Sequence, residues 1–281
     1  MLMVIQHNML ASNANRMYGI NTDSMKKSAE KLSSGYRINR SSDDAAGLAV
    51  SETMRRQIRG LSRASANAQD GISMAQAAEG ALVEAQEMLQ RMNELCVHAA
   101  NDVLTSEDRS YIQEEIDRNI QELDRLSDIA TFNDINMLGG KDGDLNTPFH
   151  VKLQVGTESN QTVEFDISSI NATILGVADI DVRGDDGTGA QAAIEKLKTA
   201  ITHNSEERSK LGAVQNRLDH AIRNMNNVVE NTTASESRIR DTDLAREMVQ
   251  YSIRNILSQA SVSVSAQANQ TNNGVMAMIN G

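Results

Sequence analysis

Apolar side chains return every seven positions from Leu61 through Ala68, Ala75, Leu82 and Leu89 to Cys96. A second series, Ala64, Ala78, Ala85, Met92 and Ala99, stands three residues further on, and Gly71 occupies the one place where it is broken. Spacing of three and four sustained over several heptads makes a single apolar seam along a helix, the pattern of a coiled coil. The chain's single proline is Pro148, so no proline interrupts such a helix between residues 44 and 100. Roughly 55 residues at 1.5 Å each would run about 80 Å, more than one compact domain covers. A helix of that length requires apolar partners along its whole course.

The rest of the chain offers candidates. Thr105–Asp128 repeats the helical period with Ile112, Ile116, Ile120, Leu123 and Leu126, behind a Thr105/Ser106 cap with acidic residues in the first turn. It is expected to fold back antiparallel to the long helix. Between residues 133 and 190 the character changes, with helix-breaking Gly139, Gly140 and Gly143 ahead of Pro148. Val151, Leu153 and Val155 then alternate with Lys152 and Gln154, and Val163, Phe165 and Ile167 alternate with Glu164 and Asp166. With turn-prone residues 156–161 between them, these runs predict a β-hairpin at about 149–168 with one buried face.

Helical period returns at Ile194, Leu197 and Ile201 and continues through Leu211, Val214, Leu218, Ala221, Met225 and Val228. The closing stretch 236–281, with Ile239, Ala245, Val249, Ile256 and Ala260, and the opening residues 1–35 predict weakly apolar helices. Each is marginal alone, so the two chain ends are expected to order against each other or against other subunits. The expected fold is mainly α: a long antiparallel helical bundle or coiled-coil rod formed by both chain ends, with a small β-hairpin region in the middle.

Composition removes several functions. Aromatic residues are 2% of the chain, which suits helices packed by small and aliphatic side chains. A net charge of −11 argues against a nucleic-acid partner. The leading stretch MLMVIQHNMLASNANR has its first basic residue at Arg16 and is not expected to act as a cleaved secretory signal, while Met3 offers an alternative start. No apolar run approaches the roughly 18 residues of a membrane span, so no membrane insertion is expected. Cys96 is the lone cysteine, and its place in the seven-residue series marks it as a packing thiol, with His98 on another face of the helix. The five histidines, 7, 98, 150, 203 and 220, form no metal-binding spacing, and Asp142-Gly143-Asp144 reads as a turn. No catalytic constellation, metal site or cofactor is expected, and the chain is not expected to be an enzyme.

Several stretches resemble bacterial flagellin. They are Gln6-His7-Asn8, the run from Glu30 to Asn39, the run from Asp43 to Leu48, the run from Asn67 to Ser73, Ala78-Glu79-Gly80-Ala81-Leu82, the run from Leu211 to Arg217 and the run from Glu236 to Asp243. They lie at both ends of the chain in the family's order. The resemblance implies a subunit that self-assembles into the flagellar filament for swimming motility, secreted unfolded by type III export to an extracellular bacterial flagellum. It implies a discontinuous inner-tube domain (1–42 with 236–281) and an outer-tube domain (43–235), with only a short variable segment at about 182–191 where many relatives carry large surface domains. A seam of Leu61, Ala68, Leu82, Leu89, Cys96, Leu211, Val214 and Leu218 would serve filament packing.

Implied partners are copies of the chain itself, a flagellar secretion chaperone held through the C-terminal helix, filament cap and junction proteins, and the innate receptor Toll-like receptor 5. The stretch Gln90–Asn101 is similar to the family's receptor-binding segment. Carried over residue by residue, Gln90, Arg91, Glu94 and Leu95 would face the receptor, with Glu115 joining from the neighbouring helix. Two other readings share these features: a hook–filament junction protein, similar at both chain ends, and a binding module that presents a coiled coil without polymerising.

Overall fold

The computed structural model describes residues 7–140, 147–184 and 187–280. Residues 1–6, with Met3 and Gln6, the Asp142-Gly143-Asp144 turn, and Asp185 and Asp186 of the expected variable segment lie outside the described residues. The protein is mainly helical: α1 (Met9–Ser34), α2 (Ala45–Ala99), α3 (Ser106–Ile129), the strands β1 (Thr131–Phe132), β2 (Ile135–Asn136), β3 (Phe149–Gln154) and β4 (Thr162–Ile167), then α4 (Thr188–Arg240) and α5 (Leu244–Asn280). Packing divides the chain into two compact units, residues 59–229 and residues 1–58 with 230–281.

The core of the first unit is the seam expected from the heptads. Ala68, Ala75, Ala78, Leu82, Ala85, Leu89, Met92, Cys96 and Ala99 are all buried along α2. They pack against Ile112, Ile116 and Leu123 of α3 and against Leu197, Ala200, Leu211 and Leu218 of α4. Inside this seam Asn204 donates to the Leu82 carbonyl at 2.9 Å and to Gln86 Oε1 at 2.7 Å, which fixes the register of α4 on α2.

Helix α3 opens with a capping box. Thr105 accepts from the Asp108 N–H, and the Asp108 carboxylate accepts from the Thr105 N–H at 3.0 Å. One turn on, the fully buried guanidinium of Arg109 donates to three backbone carbonyls: Ala99 at 3.0 Å, Gly184 at 2.6 Å and Asn101 at 3.2 Å. These hydrogen bonds satisfy carbonyls left open where α2 ends, and tie the 184 segment to that end.

Strands β3 and β4 form the expected antiparallel hairpin, with Val151 opposite Phe165 and Leu153 opposite Val163. Its inner face joins the core, and its outer face carries His150 paired with Asp166 at 2.6 Å and Lys152 paired with Glu164 at 2.7 Å. The gap in the second heptad series now has a cause, because Leu153 sits over Gly71.

Three features depart from the sequence reading. A second small hairpin, β1–β2, turns on Asn133 and Asp134, both at positive φ, the two-residue turn that matches strand twist. Residues 169–182, to which the sequence assigned no element, bury Ile170, Ala172, Leu175, Val177, Ile180 and Val182. Gln113 anchors this segment through the Ile180 carbonyl and the Val182 N–H. Helical structure also runs on from 188 to Arg240 and stops there, whereas a single closing helix over 236–281 was expected. Asp243 restarts it as α5 by accepting from the Arg246 N–H at 3.1 Å.

Candidate assembly interface

The second unit is built mainly on α1 and α5, which lie antiparallel. Asn8 caps α1 by accepting from the Ala11 N–H, and its amide donates to the Ala268 carbonyl at 3.1 Å; Asn21 donates to Ser261 Oγ at 3.3 Å. At the other end Gly35, at φ 75°, closes α1 by donating to the Lys31 carbonyl. The chain then pairs Tyr36 with Asp241 in an isolated antiparallel bridge. Arg37 N–H donates to the Arg240 carbonyl at 2.6 Å and Thr242 N–H donates to the Gly35 carbonyl at 3.0 Å.

The Arg240 side chain covers this junction. Its guanidinium lies 4.8 Å from the centre of the Tyr36 ring and its Nη1 donates to Glu52 Oε1 at 2.5 Å. The hydrogen bond from Arg240 holds the Glu52 carboxyl below its ordinary value. The connection from α1 to α2 and the one from α4 to α5 are thus fastened together.

Among the described residues of α1 and α5, those that are buried are small: Ala14, Ser28 and Ala268. Larger apolar side chains face outward. Met9, Leu10, Met17, Tyr18 and Ile20 on α1, and Leu244, Met248, Val249, Ile253, Ile256 and Leu257 on α5, are each 40% exposed or more. On α5 they recur at spacings of three and four, the period by which a helix presents one face to a partner. Exposed apolar side chains repeated along one helix face point to an interaction site.

The eight seam residues expected to serve filament packing behave differently. Leu61, Ala68, Leu82, Leu89, Cys96, Leu211 and Leu218 are buried and Val214 is partly buried, all inside one chain. Their apolar surface is covered by the subunit's own helices, so the seam is internal packing. The Cys96 thiol is pushed up to about 11 by burial, which keeps it protonated and unreactive at neutral pH.

The residues expected to face a receptor divide as well. Gln90, Arg91 and Glu94 are exposed on α2, and Glu115 is exposed on α3. Arg91 links Glu115 to Glu94, with Nη2 at 2.8 Å from Glu115 Oε1 and Nη1 at 3.3 Å from Glu94 Oε2. Leu95, expected beside Arg91 at that surface, is 6% exposed and belongs to the core instead.

Among the described residues no three or more His, Cys, Asp or Glu side chains are grouped so as to hold a metal ion. Nor is any helix among them long and apolar enough to cross a membrane.

A helix pair that leaves apolar side chains open along both members is the build of an assembling structural subunit. The family model of the bacterial flagellin N-terminal helical region matches residues 5–142, and that of the C-terminal helical region matches residues 194–279. The flagellin of Halalkalibacterium halodurans is 46% identical over 99% of this chain and 100% of its own length. Flagellin FlaB2 of Treponema pallidum is 44% identical over 99% and 100%. A solved structure of a proposed flagellar hook-associated protein from Vibrio parahaemolyticus is 12% identical and superposes with a TM-score of 0.59 over 71% of this chain and 100% of that one, a likeness of fold alone. The chain belongs to the bacterial flagellin family.

Proposed function

We propose that this chain polymerises into a flagellar filament through the open apolar faces of α1 and α5, and that it is secreted to form an extracellular flagellum that drives swimming. The observation that carries the reading is the row from Leu244 to Leu257, whose six large apolar side chains are each 41% exposed or more among the described residues. Neighbouring copies repeat the same contact by a rotation that does not close, which gives a helical polymer. Residues 1–42 with 236–281 would form the inner tube and residues 43–235 the outer layer. Before assembly the same face of α5 suits an export chaperone, and at the filament ends it suits cap and junction proteins, because each would cover the same apolar row.

Seeded elongation tests this. Ile256→Asp together with Val249→Asp places two charges in the row without touching the core of residues 59–229. Elongation from filament fragments is expected to stop while the circular dichroism of the monomer is kept. Elongation at the wild-type rate would show that the row is not the interface.

A second reading rests on the Arg91 cluster. The free monomer is a ligand for Toll-like receptor 5, presenting Gln90, Arg91, Glu94 and Glu115, while Leu95 beneath them holds the helix in place. An arginine on partly apolar surface is a common centre of binding energy. Titrating receptor against Arg91→Ala and Leu95→Ala decides it, since Arg91→Ala binding at wild-type affinity removes the site.

A further inference from the structure

Methionine is distributed unevenly between solvent and core. Met74, Met92, Met137 and Met225 are buried among the side chains of residues 59–229. Met9, Met17 and Met248 instead stand 73%, 44% and 52% exposed on α1 and α5, within the apolar faces described above. A thioether open to water is open to oxidants; one inside a packed core is shielded.

We propose that Met9, Met17 and Met248 are oxidation sites through which a hydroperoxide switches the free chain off assembly. The inference rests on the polymerisation reading given above. In the step itself a sulfur lone pair attacks the terminal peroxide oxygen. The S–O bond forms as the O–O bond breaks, sulfur loses two electrons, and the proton of the transferred oxygen passes to the leaving oxygen, which departs as water or an alcohol. An apolar, flexible side chain becomes a polar sulfoxide whose oxygen requires a hydrogen-bond donor.

In the monomer this change costs little, because water solvates the sulfoxide. At an interface between copies it does cost. The neighbours that α1 and α5 await are apolar side chains like their own, among which Tyr18 alone carries a donor, so a buried sulfoxide away from that hydroxyl would be an unsatisfied polar group. The device is one-directional in its exposure: the sites are open before assembly and covered after it. A damaged or oxidatively stressed subunit is thereby kept from the growing end, and enzymatic reduction returns it to the pool.

The full chain is treated with hydrogen peroxide as monomer and as filament, and sulfoxide is located by peptide mass spectrometry. In the monomer Met9, Met17 and Met248 are expected to oxidise while Met92 and Met137 do not; in the filament all three are expected to be protected. Seeded elongation of the oxidised monomer is expected to fall by about tenfold or more, and methionine sulfoxide reductase is expected to restore it. A chain carrying Met9→Leu, Met17→Leu and Met248→Leu is expected to elongate normally after peroxide. If that triple variant is inhibited as strongly as the wild type, or if oxidised wild type elongates unchanged, the proposal is overturned alone. If the three sites oxidise as fast in filaments as in monomers, the covered face fails and the proposal fails with it.

Discussion

A β-carbon placed on Gly71 would run into Cδ1 of Leu153, so the β3–β4 hairpin is inlaid into the long helix at the one position of the seam that has no side chain. Gly71→Ala forces the Leu153 side chain out of its place in the packed seam, an overpacking that destabilises by about 1–3 kcal/mol. Gly80, on the same helix, has open space where a β-carbon would go, and there alanine is expected to stabilise by up to about 1 kcal/mol through helix propensity. Urea midpoints of the two variants should therefore move in opposite directions; a shared direction would contradict the inlay.

Arg109 offers a second measurement. Replacing it with methionine keeps much of the bulk but leaves the carbonyls of Ala99, Asn101 and Gly184 without their donor. A loss of roughly 2–4 kcal/mol is expected from the unsatisfied groups. Lysine should recover only part of it, because an ammonium lacks the planar fork that reaches three carbonyls at once. Equal stability of the lysine variant and the wild type in urea would refute the clasp.

The Cys96 thiol, raised to about 11 by burial, is expected to resist iodoacetamide at pH 8 in the native chain and to react within minutes once urea opens the core. Labelling at the same rate in both conditions would place the residue at the surface.

At the Tyr36–Arg240 junction the sign of the pH effect follows from Glu52. Its carboxyl is lowered from 4.5 chiefly by the Arg240 hydrogen bond, so its contribution is complete above that ordinary value. It is lost as pH falls through the depressed value. Tyr36 ring resonances, followed by NMR on acidification, are expected to shift as Glu52 protonates and the Arg240 contact loosens. In Glu52→Gln that shift should be absent, and a shift of equal size in the variant would assign it to another group.

Much of this fold is legible in the chain because it is periodic. The seven-residue series from Leu61 to Cys96 marks the face of α2 that packs, and the Thr105 cap and the alternation around Val151 and Phe165 mark α3 and the hairpin. The signals missed are short or distributed. Asn133-Asp134 is a two-residue turn between two-residue strands, too brief for any period to show. The break at 241–243 carries no proline or glycine, and Asp241 is set by pairing with Tyr36, far away in sequence. Arg109 reads as one more charge on α3 until the ends of its donors are found on three separate carbonyls.

By itself the amino-acid sequence determined which faces are apolar and where the long helices run, because these follow from the spacing of side chains along one strand of backbone. Only the tertiary structure decided which apolar faces are satisfied. The seam from Leu61 to Cys96 and the row from Leu244 to Leu257 are alike in period, yet the first is closed by α3, α4 and the hairpin and the second stands open. The difference lies in where distant segments come to rest, and burial is a property of that arrangement of neighbours rather than of either run of residues.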